Sequence, residues 1–160
     1  MANTIVPQGI IVHHSAVPTP ATGDFSQYVE YLKRIHKARG FGVFYWGRIY
    51  YLGYHYVILP DGTISQGRPE RARGAHAAAY NSYIGICLVG DFSSAQNPTG
   101  TMGLQEPTQA QIQSLVRLVR ELRSRYAIPP ERILLHRQVD RDTQCPGDRF
   151  PVAFFTARIQ

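Results

Sequence analysis

Cysteine is scarce in this chain: among 160 residues only Cys87 and Cys145 occur, which excludes a small secreted scaffold stapled by several disulfides. A bridge between the two is disfavoured. Cys87 sits inside the apolar run from Ile84 to Val89 and reads as a buried small hydrophobe, whereas Cys145 lies in a polar loop beside Pro146. Long apolar runs are missing too, and nothing approaches the ~18 consecutive apolar residues of a membrane span. The first eight residues carry no Lys or Arg, and Ile10 to Val12 is too short for a signal-peptide core. A protein made in the cytoplasm without an export signal is expected. Lysine is confined to Lys33 and Lys37, so the net charge of +6 is carried by arginine. Repeats, low-complexity tracts and charge blocks are absent, so one domain spanning 1–160, with no second domain, is expected.

With 44% apolar and 18% charged residues the chain has the composition of a globular protein. The positive charge suits an anionic partner: nucleic acid, anionic lipid or an acidic cell-wall polymer. Nucleic acid is the weakest of these, because no helix carries a basic recognition face.

Strand and helix patterns alternate. Ile10 to His14 is apolar and β-branched and reads as a first strand, followed by a loop from Ser15 to Gly23. From Asp24, a candidate N-cap, apolar residues recur at Phe25, Tyr28, Val29, Leu32 and Ile35, one face of a helix closed by Gly40. Gly53 to Leu59 and Thr63 to Gln66, joined by Pro60-Asp61-Gly62, read as a hairpin. Tyr83 to Val89 is apolar on both faces and reads as a central strand.

After a long loop from Gly90 to Pro107, Thr108 and Gln111 form a capping box for a helix with the stripe Ile112, Leu115, Val116, Val119, Leu122 and Tyr126, stopped by Pro129-Pro130. Ile133 to His136 is a last strand, and a third helix runs from about Phe150 to Ile159. The fold class is α/β: a central mixed β-sheet flanked by about three α-helices on both faces.

Two strands thus end in histidine, at His13/His14 and at His136, and Cys145 follows nine positions after the second. Imidazole plus thiolate suits zinc, and three protein ligands leave a fourth position for water, as in catalytic rather than structural sites. Adjacent strand residues point to opposite faces, so only one of His13 and His14 can enter such a site. The same alternation allows only one of Tyr54 and His55 to face it. On spacing alone, histidines as polar strand caps and Cys145 as a lone thiol are the favoured reading, since no motif such as HExxH occurs. His36, beside Ile35, reads as a packed core-edge residue.

Taken in order, Ile11-Val-His-His-Ser-Ala16, Gly53-Tyr-His-Tyr-Val-Ile58, Pro60-Asp-Gly-Thr63, Gly74-Ala-His-Ala77, Asn81, Ile84-Gly-Ile-Cys-Leu-Val-Gly90 and His136-Arg137 with Cys145-Pro146-Gly147 form a series. It resembles the type 2 N-acetylmuramoyl-L-alanine amidases over about residues 10–150. Within that group it is similar to the phage lysozyme-type amidases and to catalytic peptidoglycan recognition proteins.

The resemblance implies one zinc ion (Zn2+) held by His13, His136 and Cys145 at one end of an open groove. It also implies hydrolysis of the amide between N-acetylmuramic acid and L-alanine in bacterial peptidoglycan. Tyr54 matches the family tyrosine beside the metal. Thr143 matches a position held by Lys in the lysozyme type and by Thr in catalytic recognition proteins. His76 and Asn81 fall at groove positions by resemblance.

The segment between Gly40 and Gly53 is longer and more aromatic than the family pattern, and Tyr45 and Trp46 in this loop are candidate glycan contacts. The cysteine pair after the first strand of animal recognition proteins is missing, which favours a bacterial or phage origin. A wall substrate without an export signal suits a phage or prophage endolysin, expected as a monomer and released late onto the wall. A non-catalytic wall-binding module and a cytoplasmic wall-fragment recycling amidase are the alternatives.

Overall fold

The computed structural model describes residues 3–18 and 25–160. The candidate N-cap at Asp24 lies outside the described residues. In chain order the elements are β1 (Ile10–His14), α1 (Phe25–Ala38), β2 (Val43–Tyr45), β3 (Arg48–Tyr50), β4 (Tyr56–Ile58), β5 (Ile64–Gln66), β6 (Ile84–Leu88), α2 (Gln109–Tyr126), β7 (Ile133–Leu135), α3 (His136–Val139) and α4 (Val152–Arg158).

Five strands form one sheet in the order β5-β4-β6-β1-β7. β1 runs parallel to both β6 and β7, β4 runs parallel to β6, and β5 closes the edge antiparallel to β4, so the sheet is mixed as expected. All ten residues of β1 and β6 are buried, which is what two-sided coverage of continuous apolar runs requires. One face packs Ile10, Val12, Ile84, Ile86 and Leu88 against α2 and α4. The other packs Val57, Cys87 and Val89 against Tyr28, Val29 and Leu32 of α1.

The capping box of α2 forms in both directions. Gln111 N–H donates to the Thr108 hydroxyl, and Thr108 N–H donates to Gln111 Oε1, each at 3.0 Å. The Gln111 amide then donates to the carbonyls of Ile58 and Val89, tying the helix start to the ends of β4 and β6. α1 stops on Gly40 in the left-handed region, with Phe41 N–H donating to the His36 carbonyl and Gly40 N–H to that of Lys37. This closure sets the Phe41 ring against that of His36, with centroids 5.1 Å apart.

Four expectations need correction. The aromatic segment is a hairpin of β2 and β3, not a loop: Trp46 and Gly47 both take positive φ, the two-residue turn whose twist matches the paired strands. Gly53 to His55 precede β4 rather than belonging to it: the Gly53 carbonyl accepts the Ala75 N–H, and the two backbones approach so closely there that a Cβ on Gly53 would clash with the Ala75 carbonyl. α2 ends at Tyr126 on Ala127 in the left-handed conformation, before the prolines act. His136 opens α3 instead of closing β7, because Gln138 Oε1 accepts the Leu135 N–H and Asp140 N–H donates to the His136 carbonyl, winding one helical turn. α3 raises the helix count to four among the described residues.

Candidate metal centre and groove

His13, at the end of β1, stands in register with Cys87 on β6, on the sheet face that carries α1. His14 faces the other way: its Nδ1 accepts the Phe92 N–H at 3.0 Å and its ring packs on Phe92. The pleat therefore divides the pair as expected. The loop after α3 brings Cys145 to the same place. Arg137 N–H donates to the Cys145 carbonyl at 2.8 Å, the Arg137 guanidinium donates to the Gly147 carbonyl, and His14 N–H donates to Cys145 Sγ at 3.3 Å. One ligand atom each from His13, His136 and Cys145 then lie within 4.8 Å of one another. Cys145 Sγ is 3.7 Å from His13 Nδ1.

The electrostatics of this cluster suit a cation. Burial pushes the Cys145 thiol up to about 12, holds His13 well below its ordinary value and lowers His136 as well. Both imidazoles are therefore neutral with a lone pair available, and the thiolate needs a positive partner to exist at neutral pH. Two imidazoles and one thiol with a side open to a groove form a three-donor set able to bind a metal and keep a position for a further ligand.

The groove encloses about 560 Å³ and is lined by His13, His136, Cys145, Tyr54, His76 and Asn81 among others. Tyr54 packs its ring 5.1 Å from that of His13, while burial and the neighbouring Cys87 thiol keep its hydroxyl protonated. His55 turns away, donating from Nε2 to the Ala72 carbonyl and accepting the Gly85 N–H at Nδ1. His76 and Asn81 meet directly, since Asn81 Oδ1 accepts the backbone N–H of His76 and of Ala77.

Thr143 does not line this groove. It stands behind Cys145, whose N–H donates to its hydroxyl at 3.1 Å, leaving the hydroxyl proton free. Tyr45 and Trp46 do not line it either, and Trp46 is 75% exposed at the hairpin tip. A smaller cavity, lined by Val43 and Phe44 of β2, shares Phe41, Ala75 and Asn81 with the groove.

Sequence reasoning did not assign three titratable residues of the groove to it: His36, Arg39 and Asp140. His36 accepts the Gly53 N–H at 2.8 Å and backs Tyr54, with ring centroids 5.3 Å apart. Arg39 adds a positive charge to the rim. Asp140 Oδ2 lies 3.8 Å from His136 Nε2. A four-residue spacing from His136 to Asp140 was the available signal, once His136 was placed on a helix.

A buried thiol and two imidazoles converge at the end of a groove, on a mixed sheet covered on both faces, as a donor set able to bind a metal. Comparison with known proteins gives the family: residues 3–148 match the family described as N-acetylmuramoyl-L-alanine amidase, and the chain belongs to it. The endolysin of Klebsiella phage KP32 is 38% identical over 118 residues, covering 73% of this chain and 67% of that one. The human N-acetylmuramoyl-L-alanine amidase is 31% identical over 151 residues, covering 89% of this chain but 23% of its own length. Among solved structures, the N-acetylmuramoyl-L-alanine amidase LysC from Clostridium intestinale superposes with a TM-score of 0.73 at 34% identity, covering 97% of this chain and 86% of that one.

Proposed function

We propose that this chain is a zinc-dependent amidase that hydrolyses the bond between N-acetylmuramic acid and L-alanine in peptidoglycan, acting as a phage or prophage endolysin. The observation that carries it is the convergence of His13, His136 and Cys145 at one end of the groove. Similarity to a phage endolysin supports the lytic role.

His13, His136 and Cys145 would hold the zinc, which when bound supplies Lewis acidity and a nucleophile at neutral pH. The chain's own residues do the rest. The groove positions the stem peptide so that its first amide reaches the donor set. Tyr54, protonated and packed against His13, donates its hydroxyl to the oxyanion that develops at the carbonyl. Thr143, outside the groove lining, acts through Cys145 instead: its hydroxyl accepts the Cys145 N–H and holds that loop residue in the donor set. Tyr45 and Trp46, beyond the groove, contact the glycan strand.

The test is incubation of the purified protein with intact sacculi, with and without a chelator, followed by mass spectrometry. Stem peptides beginning at L-alanine, lost on chelation and restored by zinc, are the expected products. Binding without release would place the chain among wall-recognition modules. Turnover of soluble fragments but not of sacculi would point to recycling.

A further inference from the structure

His13 does not choose its tautomer freely. His76 Nε2 lies 2.8 Å from the Tyr83 carbonyl, which can only accept, so His76 carries its proton on Nε2 and its Nδ1 is an acceptor. That Nδ1 lies 2.9 Å from His13 Nε2. Two lone pairs cannot share this line, so His13 carries its proton on Nε2. Its Nδ1 lone pair is then left facing Cys145 Sγ, 3.7 Å away.

We propose that His76 is a positioning residue for the metal centre: it relays the polarity of the Tyr83 carbonyl to His13, fixing the tautomer and ring orientation that present Nδ1 to the cation. The inference rests on the zinc reading above, and it gives His76 and Asn81 a task besides lining the groove.

The surroundings of His76 are built for this. Its ring stands perpendicular to that of His13, with centroids 5.0 Å apart, an edge-on approach compatible with the ring-to-ring hydrogen bond. Gly74 and Gly85 leave the room: a Cβ on either would come within 2.6 Å of the His76 ring. Asn81 pins the backbone at both His76 and Ala77. The other imidazole ligand has no equal support, since His136 Nε2 is 3.8 Å from a half-exposed Asp140 carboxylate, beyond direct hydrogen bonding. Partners of this kind orient metal-bound imidazoles and raise their basicity, and their loss costs about 10- to 100-fold in metal affinity.

The test compares wild type with His76→Leu and His76→Asn. Leucine removes the acceptor, whereas asparagine keeps a side-chain oxygen near the position of Nδ1. Zinc affinity is read by competition with a chromophoric chelator, the His13 tautomer by 15N imidazole NMR of metal-free protein, and the fold by thermal melting. The expected results are an Nε2-protonated His13 in wild type, a roughly 10- to 100-fold weaker zinc affinity in His76→Leu, and recovery of most of that loss in His76→Asn.

An Nδ1-protonated His13 in wild type overturns the proposal whether or not the variants fold. Unchanged affinity in His76→Leu also overturns it, as does an asparagine variant that melts like wild type yet binds as weakly as the leucine one. A wild type that binds no zinc removes this inference and the zinc reading together. The full affinity series with no release from sacculi would remove only the amidase.

Discussion

Acidification to pH 5 should strongly destabilise the metal-free protein, through histidines outside the three-donor set. His14, His36 and His55 are 6%, 5% and 0% exposed, and each accepts a backbone N–H at Nδ1, from Phe92, Gly53 and Gly85 respectively. Protonating any of them buries a charge and also sets one N–H against another. Burial is the main cause that lowers all three from 6.5 to about 4.

The sign follows from linkage. Between pH 6.5 and 4 the unfolded chain binds more protons than the native one, so stability is lost as pH falls through this window and is fully present above it. At pH 5 each group contributes about 1.5 pH units of this difference, or roughly 2 kcal/mol. Three such groups remove roughly 6 kcal/mol, which is comparable with the whole stability of a typical domain, about 5–15 kcal/mol. Urea unfolding in the presence of a chelator at pH 7.5, 6 and 5 measures it, and the midpoint should fall steeply over the last interval. His36→Asn, which keeps an acceptor but cannot take a proton, should lower the proton uptake on unfolding by about one. A midpoint that stays flat from pH 7.5 to 5 would refute the argument.

Other perturbations bear on the site and the core. Cys145→Ser should abolish stoichiometric zinc binding, measured by metal analysis after dialysis, because a buried hydroxyl offers no thiolate to the cation. Tyr54→Phe should keep zinc binding but reduce kcat on sacculi by about 10²–10³-fold if the hydroxyl stabilises the oxyanion; wild-type turnover would remove Tyr54 from that role. Replacing Tyr45 and Trp46 together by Ala should weaken binding to sacculi without altering zinc affinity, and unchanged wall binding would reject the glycan contact. Leu115→Ala, at a fully buried position of α2, should cost about 2–5 kcal/mol in urea unfolding.

Much of the fold was legible because its periodicities are strong. The continuous apolar runs of β1 and β6 announce central strands, and the Thr108/Gln111 box marks the start of α2 within a residue. What was not legible depends on contacts distant in sequence. Trp46-Gly47 is an unusual two-residue turn, so the hairpin it closes carried no Asn-Gly or Asp-Gly signal. Leu135-His136 continues an apolar strand pattern, and only the Gln138 side chain reaching back to the Leu135 N–H shows that the chain has already turned into a helix.

The six histidines show where reading a sequence stops. Residue type and spacing mark His136 and one of His13 and His14 as ligand candidates; the family resemblance selects His13, and the strand alternation then turns His14 away. The task of an imidazole, however, is set by which nitrogen holds the proton, and that depends on its partner. His14, His36 and His55 accept backbone N–H groups at Nδ1, so they close the packing around the groove and remain neutral. His76 has its Nδ1 turned to another side chain, because a carbonyl from Tyr83 occupies its Nε2. Outside the ligand set, two imidazoles hydrogen-bond at both nitrogens: His55 meets only backbone, whereas His76 meets the Tyr83 carbonyl on one side and His13 on the other. The difference lies in the close backbone approach at Gly53 and in the room left by Gly74 and Gly85, neither of which is a property of the histidines themselves.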